Sequence, residues 1–137
     1  MMANLLVLFK ALFTGVGGFI GWFLGNSDTF MYALIVLIIV NYITYVMRDI
    51  ISKELSNAAI IKEIFQKIII ILLVGVANII DTYLVRSDNS PLRTAVTFFY
   101  ITDQGLSLLE NVALIGVPIP EVLKEALSKL KNNKEDS

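Results

Sequence analysis

Four apolar runs, each near the length of a membrane crossing, leave few folds open to this chain. The first covers about residues 4–25 and is interrupted only by Lys10. The second is "FMYALIVLIIVNYITYVM", residues 30–47, and the third is "IIIILLVGVANIIDTYLV", residues 68–85. The fourth is "LRTAVTFFYITDQGLSLLENVALIGV", residues 92–117. A helix needs about 20 mostly apolar residues to cross roughly 30 Å of hydrocarbon. The second and third runs reach that only marginally, and Arg48, Lys67 and Arg86 stand where long side chains can snorkel to water. The pattern predicts an all-α integral membrane protein of about four transmembrane helices.

Composition agrees. Of 137 residues, 56% are hydrophobic and only 17% charged, against roughly 25% charged in soluble domains. Mean hydropathy is +0.75. The charges gather in residues 48–67, in 86–93 and after 120, so no dense basic patch marks a nucleic-acid binder. The absence of cysteine excludes disulfides and thiol chemistry. The absence of histidine removes the commonest metal ligand and the usual general base near neutral pH. The chain therefore reads as a non-enzyme without a cofactor.

The connections set the organisation. "NSDT", residues 26–29, is a tight polar turn, and "RSDNSP", residues 86–91, is another. "RDIISKELSNAAIIKEIFQK", residues 48–67, places Ile60, Ile61, Ile64 and Phe65 at helical spacing, so it is expected to be a helical connection at the membrane interface, capped at Ser56 or Asn57. Gly116 reads as a helix stop and Pro120 as the first turn of a C-terminal amphipathic helix. Leu123, Ala126, Leu127 and Leu130 form its apolar face, and "NNKEDS" is expected to be disordered. Residues 1–117 are thus a transmembrane domain and 118–137 a cytoplasmic helix and tail. The basic residues Arg48, Lys53, Lys62 and Lys67 of the middle connection, and Lys124, Lys129, Lys131 and Lys134 of the tail, belong on the cytoplasmic side. Four crossings then put both termini in the cytoplasm. The first run lacks a basic leading region and a small-x-small cleavage site, so it reads as a span and not as a signal peptide.

"GVGGFIGWFLG", residues 15–25, holds five of the eight glycines. Glycine weakens a helix in water by up to about 1 kcal/mol relative to alanine, but in lipid small residues let helices pack closely. Gly17, Gly21 and Gly25 fall four apart and form one groove, a face for a neighbouring helix in the same or another copy.

Polar residues inside the spans are the sharper signal, because ionisable side chains there are costly and face protein or water. They are Lys10, Asn41, Asn78, Asp81, Asp103, Gln104 and Glu110. At about 100° per residue, Arg93, Thr97, Tyr100, Gln104, Ser107 and Asn111 make one stripe of the fourth run, flanked by Asp103 and Glu110. Phe98, Thr102, Leu106, Leu109 and Ala113 lie across from it. Such a stripe can line a watery lumen once copies assemble, or form a buried network that only fixes helix packing. A relay of Asp81, Asp103 and Glu110 in a small ion-coupled transporter is a third reading. A membrane-anchored scaffold recruiting a partner through residues 120–131 is a fourth. Asn41 and Asn78 read as hydrogen-bonders between helices.

The segment "PLRTAVTFFYITDQGLSLLENVALIGVPIPEVLKEAL", residues 91–127, resembles the C-terminal part of the phage lysis and toxin-secretion holin family. The matching residues are Leu92, Arg93, Thr94, Phe98, Phe99, Tyr100, Gly105, Leu106, Ser107, Leu109, Glu110, Asn111, Gly116, Pro118 and Pro120. "NYITYV", residues 41–46, and "ANIID", residues 77–81, resemble further elements, with Asn41, Tyr45 and Asn78 where the family has an acidic residue, a glycine and a histidine. The resemblance implies a homo-oligomer in the bacterial inner membrane. It stays harmless until a critical density and then forms lesions that depolarise the membrane. Its functional partner would be a cell-wall hydrolase (an endolysin), released or activated without need of direct contact, or the process would be toxin export. The only other partner implied is the lipid bilayer.

Overall fold

Most helix ends of this chain fall at a recognisable local device. The computed structural model describes residues 1–25, 28–86 and 88–136, and the side chains of Leu127, Leu130 and residues beyond 130 lie outside the description. Five helices follow one another: α1 (Met2–Leu24), α2 (Thr29–Ser52), α3 (Asn57–Ile79, continuing as a π-helical turn Ile80–Val85), α4 (Pro91–Ile115) and α5 (Glu121–Asp136). The Asp28 carboxylate caps α2 by accepting from Met31 N at 2.8 Å. Lys53, at φ 57°, ends α2, and Ser56 Oγ opens α3 by accepting from Ala59 N at 3.1 Å. Pro91 stands in the first turn of α4, where its missing N–H costs nothing. Gly116, at φ 103°, closes α4, a left-handed conformation that suits a residue without Cβ.

Two sequence expectations change. The middle connection is no separate interfacial helix, because α2 and α3 run into it from both sides and leave only residues 53–56 between them. Ile60, Ile61, Ile64 and Phe65 continue the period of α3, so nothing separates them from the span that follows. The tail also differs: α5 runs through Asp136 where "NNKEDS" was expected to be disordered. Leu123 and Ala126 of its expected apolar face are exposed, and Leu127 and Leu130 lie outside the described side chains. Asn26 and Ser27 of the first polar turn, Ser87 of the second, and Ser137 are outside the described residues.

Three helices are long and apolar enough to cross a membrane: Met2–Leu24, Thr29–Ser52 and Asn57–Val85. α4 has the length, at 25 residues, but carries Arg93, Asp103 and Glu110, and its composition does not mark it as a fourth. All the spans are helical, as lipid demands of a backbone that has no water to bond.

Packing is uneven. α2 and α4 form the most extensive helix pair, α3 packs beside α4, and α1 packs along α3, meeting the other helices only near Leu24. The partners of α2 and α4 advance together, Asp28 with Arg93 and Arg48 with Asn111, so the two helices run parallel. A small apolar core of Met31, Leu34, Ile70 and Val74 sits between α2, α3 and α4, with Leu24, Ile38, Val96 and Tyr100 against it. Among the described residues, five hydrophobic side chains are buried against nine polar or charged ones. A soluble domain would reverse that balance. No residue of α1 is buried. α1 rests on α3 where Gly75 leaves room for Phe23, whose ring would overlap a Cβ built there.

Candidate functional site

The buried polar side chains fall into two groups, one at an end of the bundle and one along the seam between α2 and α4. The first joins four helix termini. α1 ends with carbonyls that have no helical partner, and side chains from other helices supply donors. Asn78 Nδ2 donates to the carbonyls of Trp22 (3.3 Å) and Phe23 (3.0 Å), and Arg93 Nε donates to that of Leu24 (2.7 Å). Arg93 Nη1 also reaches Asp28 Oδ2 at 3.0 Å, which ties the start of α2 to the same point. Gly25 closes α1 at φ 89°, and a Cβ there would press on Asn78 Oδ1 at 2.6 Å. Its place at the cap takes it out of the groove expected of Gly17, Gly21 and Gly25. Cβ atoms built at Gly17 and Gly21 would meet nothing within 4 Å.

Asp81 completes this end. It is 1% exposed, and its two carboxylate oxygens accept from Leu92 N (3.1 Å) and Arg93 N (2.7 Å). Ser90 precedes α4 at φ 47° and offers no side-chain cap, so Asp81 caps α4 from a neighbouring helix. A carboxylate at a helix N-terminus also meets the favourable end of the helix dipole. Burial pushes the Asp28 carboxyl up, but the Met31 N–H, and the hydrogen bond and charge of Arg93, outweigh this and hold it below its ordinary value of 3.8.

The seam is organised by Asn41, 1% exposed. Its Nδ2 donates to Gln104 Oε1 at 2.8 Å, and its Oδ1 accepts from Asn111 Nδ2 (2.8 Å) and Ser107 Oγ (3.3 Å). Asn111 Nδ2 also lies 3.1 Å from Thr44 Oγ1, while Asn111 Oδ1 accepts from Arg48 Nη1 at 3.0 Å. Arg48 pairs with Asp49 at 3.4 Å and lies over the Tyr45 ring. Gln104 Nε2 donates to Asp103 Oδ2 at 3.3 Å. Thr97 is buried on the same seam with no hydrogen-bond partner for its hydroxyl among the described residues.

The predicted stripe of α4 is therefore brought together against α2. Arg93, Thr97, Gln104 and Asn111 are buried, and Ser107 and Tyr100 half-buried. Two assignments need correction. Thr102, expected on the apolar back, is wholly buried and bonds the Phe98 carbonyl at 3.1 Å, because α4 is covered on more than one side. Glu110, expected beside the stripe, is exposed, because it points away from α2. Asp103 is half-buried. No hydrogen bond links Asp81, Asp103 and Glu110 among the described residues. Sequence reasoning missed Asp28, Arg48 and Gly75 as site residues. Only Asp28 carried a usable signal, an N-cap residue just before an apolar run.

Long apolar helices around a hydrogen-bonded polar seam define a multi-pass membrane protein. The chain belongs to the bacteriophage holin family, whose model matches residues 18–132. Among its relatives, an uncharacterized 14.9 kDa protein of Clostridium perfringens is 37% identical, covering 97% of this chain and all of the relative. An uncharacterized protein of Listeria monocytogenes is 34% identical over 88% of this chain and 85% of its own length. A protein of Bacillus phage phi105 named probable holin is 35% identical over 82% of each. No solved structure matches the chain.

Proposed function

We propose that this chain is a holin of a bacterial inner membrane. It accumulates as closed copies, assembles into homo-oligomeric lesions at a critical density, and depolarises the membrane. The lesions release or activate a cell-wall hydrolase, or serve toxin export. The observation that carries this reading is the placement of the α4 stripe. In one copy it is sealed by Asn41 and its neighbours on α2, as a chain that must not leak early requires, and its side chains can bond water once α2 and α4 part. The seam is polar enough to be wetted, and among the described residues Thr97 is its one fully buried side chain without a hydrogen-bond partner.

Four crossings with both termini in the cytoplasm fit this reading. α4 runs level with α2, and the stretch from Arg93 to Asn111 covers about 27 Å at 1.5 Å per residue, close to the hydrocarbon thickness. Most of its polar residues turn toward α2, so apart from Glu110 its outward face within the bilayer is carried mainly by Leu92, Phe99 and Leu114. The Lys and Arg distribution supplies the orientation. Under this topology the Asp28–Asn78–Asp81–Arg93 group lies at the outer face and Arg48 at the inner one.

Expression of the chain alone in bacteria, with a potential-sensitive dye, tests the reading. A holin stops growth abruptly and depolarises the cells, and a co-expressed endolysin then lyses them. Growth and potential that decline gradually in proportion to expression would favour a transporter or a scaffold.

A further inference from the structure

Charges within the long helices are satisfied in one copy with three exceptions, Lys62, Lys10 and Glu110. Exposed Lys62 stands in the second turn of α3 beside the 53–56 connection, where its long side chain reaches water. Arg93 is held by Asp28 and Leu24, Arg48 by Asp49 and Asn111, Lys67 by Glu63, and Asp81 by the start of α4. Lys10 of α1 and Glu110 of α4 are exposed and make no ion pair or hydrogen bond among the described residues. An ionised side chain left facing lipid is costly, so each needs a partner or a route to water.

The two have opposite sign and matching depth. Leu24 and Arg93 mark a common level, since the Arg93 guanidinium bonds the Leu24 carbonyl. Lys10 lies fourteen residues from Leu24 and Glu110 seventeen from Arg93, which is about 21 Å and about 25 Å along helices that head toward the same side. The difference of about 4 Å is within the reach of a lysine side chain. They do not serve each other in one copy: α1 packs along α3 and meets α4 only at its last residue, where Arg93 bonds the Leu24 carbonyl, and no ion pair joins Lys10 to Glu110. Copies in one bilayer stand at one height, so Lys10 of one is level with Glu110 of the next.

We infer that Lys10 of one copy pairs with Glu110 of a neighbouring copy, joining α1 of the first to the outer face of α4 of the second. This deepens the oligomeric reading above and rests on it. The surroundings fit a close approach. On α1, Thr14, Gly17 and Gly21 share the face of Lys10 at helical spacing, and the two glycines present no Cβ to hold a partner away. On α4, Leu92, Phe99 and Leu106 lie on the line of Glu110, and Leu92 and Phe99 border an apolar groove of about 650 Å³ against Leu73 and Val76 of α3. The contact is heterologous: each added copy leaves one α1 face and one α4 face free, so assembly continues past a dimer.

The test is charge reversal read by crosslinking in bacterial membranes, using the full chain. Thr14→Cys together with Leu106→Cys, one turn from each charge, forms a disulfide ladder of dimers and larger species under mild oxidation. Lys10→Glu or Glu110→Lys in that background cuts the crosslinked fraction about tenfold, the effect of about 1.4 kcal/mol, and the two together restore it. A ladder indifferent to either reversal, single reversals that the double does not rescue, or crosslinking by Thr14→Cys alone (two α1 helices face to face) would overturn the pairing. Depolarisation is followed separately in the unsubstituted chain. Depolarisation without a charge-dependent ladder leaves the holin reading standing and removes this interface; a charge-dependent ladder without depolarisation does the reverse.

Discussion

Asp81 shows how one side chain can hold two helices in register. It leaves α3 where the backbone widens to a π-helical turn, and its carboxylate meets two N–H groups at the start of α4. Losing a helix cap costs about 1 kcal/mol, and leaving buried donors unpaired adds to it. Asp81→Leu is therefore expected to lower the unfolding midpoint in detergent and to speed hydrogen exchange in the first turn of α4. Asp81→Asn, which keeps an acceptor, should lose less. Asp28 adds a pH dependence with a definite sign. Its carboxyl is held below its ordinary value in the folded chain, so its contribution is complete above that value and lost as pH falls through the lowered one. Acid titration should loosen the α1 end near and below pH 4, and Asp28→Asn should remove that step; exchange at Met31 N–H reports it. At this scale the sequence displayed the polar residues but not their partners. Asp81 read as a relay carboxylate because nothing local shows that Ser90 turns left-handed and abandons the cap to it. Asn41 was legible as an inter-helix hydrogen-bonder because a lone amide among isoleucines has no other use.

Among the helices, α1 is the loosest. It meets the bundle through Phe23 on Gly75 and through the donors on its last carbonyls. Gly75→Leu should displace the Phe23 ring and detach α1 while α2, α3 and α4 stay together. Proteolysis or exchange in α1 should rise, and Phe23→Ala should partly restore docking. Helix identity and most ends were readable because apolar runs, Pro91 and Gly116 act locally. The middle connection was misread because its charges suggested an interface, whereas helical period continues straight through Ile60 and Phe65. α4 is the element whose place matters most. Reporter fusions after residues 29, 57, 89 and 137 are expected to report outside only at 29 and 89. An internal signal at 29 would leave α1 on the membrane surface, and an external one at 137 would remove α4 as a crossing.

The whole molecule pairs a hydrogen-bonded polar interior with long helices whose exposed side chains are mostly apolar. The stripe of α4 could be foreseen from 100° periodicity, but not that α2 covers it in one copy, because the matching polar residues of α2, Asn41, Thr44 and Arg48, are few and lie 63 to 70 residues from their partners in sequence. The central claim is that this seam is closed in single copies and wet in the lesion. Ser107→Cys is a conservative probe of it, since the chain has no native cysteine, and Leu109→Cys on the far side of α4 is the control. Labelling with a membrane-impermeant thiol reagent, before and after the onset of depolarisation, is the decisive measurement. The account predicts that Ser107→Cys labels only after depolarisation and that Leu109→Cys stays protected throughout. Equal labelling of the two positions, or labelling of Ser107→Cys before depolarisation, would contradict it.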